Sequence, residues 1–196
     1  ARTVFRVLPS AKENGLLISS KPAYADKEWV ASTDGWFRPV NLLNAPDGTL
    51  HIVDMYKGII LYKQFMTAHM KKQVAEVKDP DRPLGRIWRV GPDAPFKAEK
   101  ADLSKRSTPQ LVETLNHSSG WWRDTAQRLL VERSDAAAIP LLKALATGKG
   151  PRLGRLHALW TLEGGGGLDA ATILTLLKEN DRRLRATGVR LAEPFL

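Results

Sequence analysis

The motif Arg-x-x-Ala occurs three times in the second half of the chain, at Arg123–Ala126, Arg155–Ala158 and Arg183–Ala186, spaced 32 and 28 residues apart. Each copy opens the second of two predicted helices. Each is preceded by a shorter leucine-rich helix, around Leu111–Leu115, Ile139–Leu145 and Ile173–Leu177. A period of this length means paired helices that cannot bury their apolar faces alone and must stack on their neighbours. The repeated alanine permits close helix approach, and the arginine can cap carbonyls or pair with acids between repeats. Leu184, Gly188, Leu191 and Phe195 fall at i, i+4, i+7 and i+11, one stripe of a helix. Helices are expected at Pro109–Leu115, Gly120–Arg133, Ala137–Thr147, Leu153–Glu163, Ala171–Lys178 and Arg182–Phe195.

The first half has the other period. Thr3–Leu8 reads as a strand, and so does Trp36–Leu43, with Pro39 marking an edge or an irregularity. Ala45-Pro46-Asp47-Gly48 supplies turn chemistry, since proline fixes φ and glycine accepts a positive one. Thr49–Met55 follows as a β-branched run, so the two strands form a hairpin. Gly58–Tyr62 continues the strand pattern, Gln64–Val77 reads as a short helical excursion, and Gly85–Val90 closes the segment. The stretch from Gly91 to Ser107, rich in Pro, Lys and Asp, is the expected boundary. The domains are therefore 1–92, a linker at 93–107, and helical repeats over 108–196.

Composition excludes several chemistries. The absence of cysteine rules out disulfides, zinc–thiolate sites, a cysteine nucleophile and covalent c-type haem attachment within these 196 residues. No apolar run approaches the roughly 18 residues that a membrane span needs. The net charge of +9 favours anionic partners. It is evenly spread, however, with 15 Lys/Arg in residues 1–98 and 15 in the remainder. That counts against a nucleic-acid binder, which would concentrate charge on one face. The chain opens on a strand-like run rather than a starting Met, which reads as a cut inside a longer protein.

Taken together, Ser32–Asn41, Ala45–Ile60 and Gly85–Val90, followed by Gly120–Leu130 and Arg155–Glu163, resemble a family of large planctomycete-type dehydrogenase-like proteins. In that family a β-propeller similar to that of soluble pyrroloquinoline-quinone sugar dehydrogenases precedes HEAT repeats and often a cytochrome c domain. The resemblance implies a β + α multidomain fold, with one or more terminal propeller blades followed by a HEAT-like α-solenoid. It implies a fragment of an exported, periplasmic sugar or alcohol dehydrogenase. The parent would use pyrroloquinoline quinone with calcium, and haem c in a domain absent here. The fragment's partners would be the missing blades, that cytochrome domain, and carbohydrate. His51 departs from the family's usual strand former, and Gly164–Gly167 from its apolar linker. Since the earlier blades are absent, no catalytic residue is carried over and no cofactor is expected within this piece. Alternatives are a non-catalytic scaffold for protein or polysaccharide, and a basic helical-repeat nucleic-acid binder.

Candidate ligand-binding residues are Arg38, Asp54 and Tyr56, on or beside adjacent strands of the proposed blade. Arg38 could hold an anion or a sugar, or instead tie the blade together through Asp34 or Asp54. His51, His69, His117 and His157 show no paired metal-ligand spacing, and no metal site is expected. The pairs Asp26/Glu28 and Asp79/Asp81 would need further oxygens to bind calcium. Gly164–Gly167 lacks the following Lys-Ser/Thr of a phosphate cradle and reads as a loop. Trp121–Trp122 opens an amphipathic helix and reads as packing rather than as a sugar platform.

Overall fold

The computed structural model describes residues 3–11, 18–57, 63–69, 71, 72, 85–93 and 101–196. The chain divides into two compact units, one of Ala1–Ala45 with Thr49–Phe96 and one of Pro46–Gly48 with Lys97–Leu196. The described residues combine small antiparallel sheets and six α-helices, a mixed β plus α chain.

In the first unit, β1 (Thr3–Val4) pairs with β4 (Val30–Ala31), and β2 (Val7–Ala11) with β3 (Ile18–Pro22). The strand expected over Thr3–Leu8 is thus two strands with different partners. The third sheet is antiparallel, in the order β5 (Pro39–Asn44), β6 (Leu50–Asp54), β7 (Arg86–Val90). The predicted hairpin is there: Leu43 pairs with His51 and Asn44 with Leu50, Ala45 N–H donates to Thr49 O (2.8 Å), and Gly48 has φ 83°. That positive φ is why glycine stands there. The β5 register slips between Pro39 and Asn41, where proline has no N–H for the ladder. Strand β6 lies in the middle and carries the core: Ile52 is buried with Val4 and Phe37, and Trp29, Val30, Leu50 and Val90 pack around them. The flanking strands leave Val40, Leu42, Leu43 and Ile87 exposed. Gly58–Tyr62, and residues 70 and 73–77 of the predicted 64–77 excursion, lie outside the described residues; Lys63–Phe65 is a 3-10 turn, and residues 68, 69, 71 and 72 are helical.

The helices of the second unit are α1 (Thr108–Thr114), α2 (Gly120–Arg133), α3 (Ala138–Thr147), α4 (Arg152–Gly164), α5 (Ala170–Leu177) and α6 (Arg182–Ala192). They pack as pairs, α1 with α2, α3 with α4, and α5 with α6. Between pairs, first helices touch first helices and second helices touch second helices. Leu111, Leu115, Trp122, Ala126, Ala158, Leu159, Leu162, Leu176 and Leu184 are among the buried residues of one continuous core. Leu103, in the expected linker, is buried in the same core, so the helical packing begins before α1. Pro194 lacks the N–H that a continuing helix needs, and α6 gives way to a 3-10 turn, Glu193–Phe195. Phe195 is accordingly exposed rather than the last member of the buried stripe.

The helix pairs share a register that differs from the Arg-x-x-Ala spacing in the third copy. The residues at the N-cap positions of α2, α4 and α6 are Ser119, Pro151 and Asp181. Four residues on stand Arg123, Arg155 and Arg185, and all three turn back onto the loop or helix end before them. Arg123 Nη1 donates to His117 O (2.6 Å) and Ser118 O (2.8 Å), Arg155 Nε to Ala146 O (2.9 Å), and Arg185 Nη1 to Glu179 O (2.6 Å) and Asn180 O (2.9 Å). Three further on stand Ala126, Ala158 and Gly188, all buried. The third copy is therefore Arg185–Gly188, and Ala186, expected to face a neighbouring helix, is exposed. A Cβ at Gly188 would meet Leu176 Cβ at 3.2 Å.

Adjacent pairs are cross-linked by polar contacts. Thr108 Oγ1 donates to Asp135 Oδ2 (2.6 Å), and Lys143 Nζ lies 2.5 Å from Asp169 Oδ2. Arg152 Nη1 lies 3.3 Å from Asp181 Oδ2. Arg155, itself buried, pairs with Glu179. Asp169 also takes the Thr172 N–H (2.8 Å) as the cap of α5, and together with Lys143 this holds its carboxyl well below the usual carboxylate range.

Candidate functional site

Asp54 closes strand β6 and is 1% exposed. A carboxylate taken out of water needs donors on its oxygens. It has them within its own sheet: Oδ1 accepts the backbone N–H of Arg38 (2.8 Å) and of Tyr56 (2.8 Å), and Oδ2 accepts Trp88 Nε1–H from β7 (2.8 Å). Strand β6 is thereby tied to the residue that precedes β5 and to the middle of β7. Two of the three sequence-selected residues, Arg38 and Tyr56, meet Asp54 through their backbones. The Arg38 side chain donates Nη1 to Phe37 O (2.9 Å), and Arg38 O accepts the Met55 N–H (3.0 Å).

Tyr56 has φ 46°, a left-handed conformation that is uncommon for a residue with a Cβ. The Asp54 bond to its N–H is one contact that holds it there. Its ring lies 5.8 Å from that of Trp36, and the Arg86 guanidinium sits 3.4 Å from the Tyr56 ring centroid and 5.7 Å from that of Trp88. A hydrogen bond to the Asp34 carboxylate raises the phenol pKa above its ordinary value, since it favours the protonated form. Asp34 in turn accepts the Trp36 N–H (2.9 Å). The result is a half-exposed stack of aromatic rings and one guanidinium beside a fully engaged carboxylate. Such a surface can lie against a sugar ring or a planar anion. Asp34, Trp36, Arg86 and Trp88 were not selected from the sequence. Trp88 and Arg86 differ by two positions along one strand, and strand alternation was the signal that placed them on a common face.

The other candidates are dispersed. His51 pairs across the sheet with Leu43 and Arg89. His117 stacks on Trp122 (5.1 Å), with its Nδ1 accepting the Ser119 N–H (3.0 Å). Trp122 is buried in the helical core, and Trp121 meets it edge-on at 5.7 Å. Among the described residues no three His, Asp or Glu side chains gather as a metal site. Asp79 and Asp81 lie outside the described residues. At Gly164–Gly167 the N–H groups of Gly165, Gly166 and Gly167 donate to Thr161 O, Glu163 O and Leu162 O. They terminate α4 and are not directed at a ligand.

A family model described as "Domain of unknown function (DUF7133)" matches residues 6–94. No curated protein and no solved structure matches the chain. Arg38, Asp54, Tyr56, Arg86 and Trp88 all fall inside the DUF7133 match, and helices α1 to α6 lie outside it. Among the described residues no helix is long and apolar enough to cross a membrane.

Proposed function

We propose that this chain supplies a closing β-propeller blade and a HEAT-like helical scaffold to an exported quinoprotein-like sugar or alcohol dehydrogenase, and that its own role is structural. The observation that carries this reading is the commitment of Asp54 to Arg38, Tyr56 and Trp88, which uses the most buried charged group of the sheet to lock its strands. The antiparallel meander of β5, β6 and β7 fits a blade with neighbours still to be added, as propellers repeat such sheets radially. The pairwise stacking of α1 to α6 fits a solenoid.

Both Asp54 oxygens are engaged, and Arg38 is turned onto Phe37 O, so no step of the oxidation is assigned to them. The test compares this chain with the complete polypeptide of its reading frame, each supplied with pyrroloquinoline quinone, calcium, an aldose and a redox dye. Dye reduction is expected from the complete polypeptide alone. Turnover by this chain, or a complete polypeptide that binds no quinone, would overturn the reading.

The partial exposure of Trp88 beside Arg86 and Tyr56 favours a second reading, a polysaccharide-binding scaffold. It expects tryptophan fluorescence to change on titration with a neutral polysaccharide, and to stop changing in Tyr56→Ala.

A further inference from the structure

The second helices of the three pairs carry a related pattern on the side opposite their core residues. Counted from the N-cap positions, the residues at five and nine are Asp124 and Arg128 on α2, and Leu156 and Trp160 on α4. On α6 a charged pair stands at two and twelve, Arg183 and Glu193. Positions two, five, nine and twelve fall within about 80° of arc on a helix and lie opposite position seven, which holds the buried Ala126, Ala158 and Gly188. All six side chains except the half-buried Leu156 are exposed. Trp160 is 38% exposed although its helix is the middle one, with a stacked pair on either side. The three pairs also share a midpoint: Asp124 and Arg128 are centred on Ala126, Leu156 and Trp160 on Ala158, and Arg183 and Glu193 on Gly188. A two-fold axis crossing the helices at that height exchanges the members of every pair. It lays each second helix antiparallel on its own copy, so that Asp124 meets Arg128, Leu156 meets Trp160 and Arg183 meets Glu193, each twice.

We propose that this face is an isologous dimer interface whose occupant is a second copy of this chain, with its second helices antiparallel to the first copy's. Charge complementarity selects both the occupant and its direction. The antiparallel arrangement sets no like charges opposite one another at positions two, five, nine and twelve of the three helices. The other two-fold arrangement, with its axis along the helices, lays α2 on α6 and sets Arg128 against Arg190, a juxtaposition of like charges that opposes association. Within one copy Arg128 already meets Glu132 (3.0 Å), and Arg190 meets Glu193 (3.2 Å). Both are exposed pairs of small net worth, so exchanging them for contacts to a second copy costs little. The inference concerns the helical unit and does not depend on the activity of the parent.

Sedimentation velocity of the full chain, 21.7 kDa as a monomer, is the test. A dimer is expected at about 10–100 μM protein in low salt, with association weakening at least about tenfold in roughly 0.5 M salt. Trp160→Glu should leave a monomer throughout. Arg183→Glu sets acid against acid and should weaken association at least about tenfold. Arg183→Glu/Glu193→Arg reverses both members of the pair and should restore association to within about threefold of wild type. These two changes place acid at the start of α6 and base at its end, where the helix dipole favours each, so helical ellipticity should be retained. A chain that stays monomeric at about 100 μM in low salt overturns the proposal. A dimer that Trp160→Glu leaves intact overturns it too, because such a dimer is formed by another surface. So does a double variant as weak as Arg183→Glu alone, because the antiparallel pairing requires the rescue.

Discussion

Trp88 Nε1 donates to Asp54 Oδ2 at 2.8 Å, so the side chain of one strand holds a buried carboxylate of the next, while the other oxygen of Asp54 takes two backbone N–H groups. Removing the carboxylate in Asp54→Ala orphans three donors and should cost about 2–4 kcal/mol in the sheet. Trp88→Phe removes one donor and should cost about 1 kcal/mol. Since the chain has two units, a single global melt is the wrong reading. Residue-resolved amide exchange across Leu50–Asp54 is the measurement, and equal protection in wild type and Asp54→Ala would refute the lock.

The repeat register makes a sharper prediction, because two residues two positions apart should behave oppositely. Gly188 faces Leu176 Cβ and Leu177 Cδ2, whereas Ala186 is exposed. Gly188→Leu should destabilise the helical unit by about 1–3 kcal/mol through overpacking. Ala186→Leu should change it by no more than about 0.5 kcal/mol. Denaturant midpoints read from helical ellipticity decide between this alignment and one that places Ala186 at the helix contact.

That register shows where sequence reading succeeds and where it stops. Helix positions were legible because leucines at i, i+3 and i+4 report a buried face directly, and Gly120–Arg133 was obtained to the residue. The Pro46–Gly48 turn was legible because its chemistry is local. The third repeat was misaligned because Arg183 and Ala186 match the motif letter by letter, while the position is defined by distance from the cap at Asp181, which no letter pattern contains. At the candidate site, Arg38 and Tyr56 meet Asp54 through backbone N–H groups, a direction of bonding that depends on tertiary burial. The Asp54 lock needs Trp88, which is 34 residues away and invisible to any local pattern.

His157 gives the helical unit a pH dependence. Its Nδ1 lies 2.7 Å from Gln127 Oε1, so the neutral ring carries its proton on Nδ1, and Nε2 is 3.9 Å from Asp124 Oδ1. Burial lowers the pKa; Asp124 raises it and Arg123 lowers it, and burial prevails. A histidine whose folded pKa lies below its unfolded value of about 6.5 is neutral in the fold while the unfolded chain already takes up protons. Its contribution is therefore complete above about pH 6.5 and declines as the pH falls from there to the folded pKa, below which it is flat. Melting temperatures of wild type and His157→Gln should differ by a constant amount at pH 7–8 and converge as the pH falls below about 6.5. In Asp124→Asn the raising charge is gone, so the decline should extend to lower pH. A wild-type-minus-variant difference that is unchanged from pH 8 to pH 5 would show that the ring is not buried against Gln127 in solution.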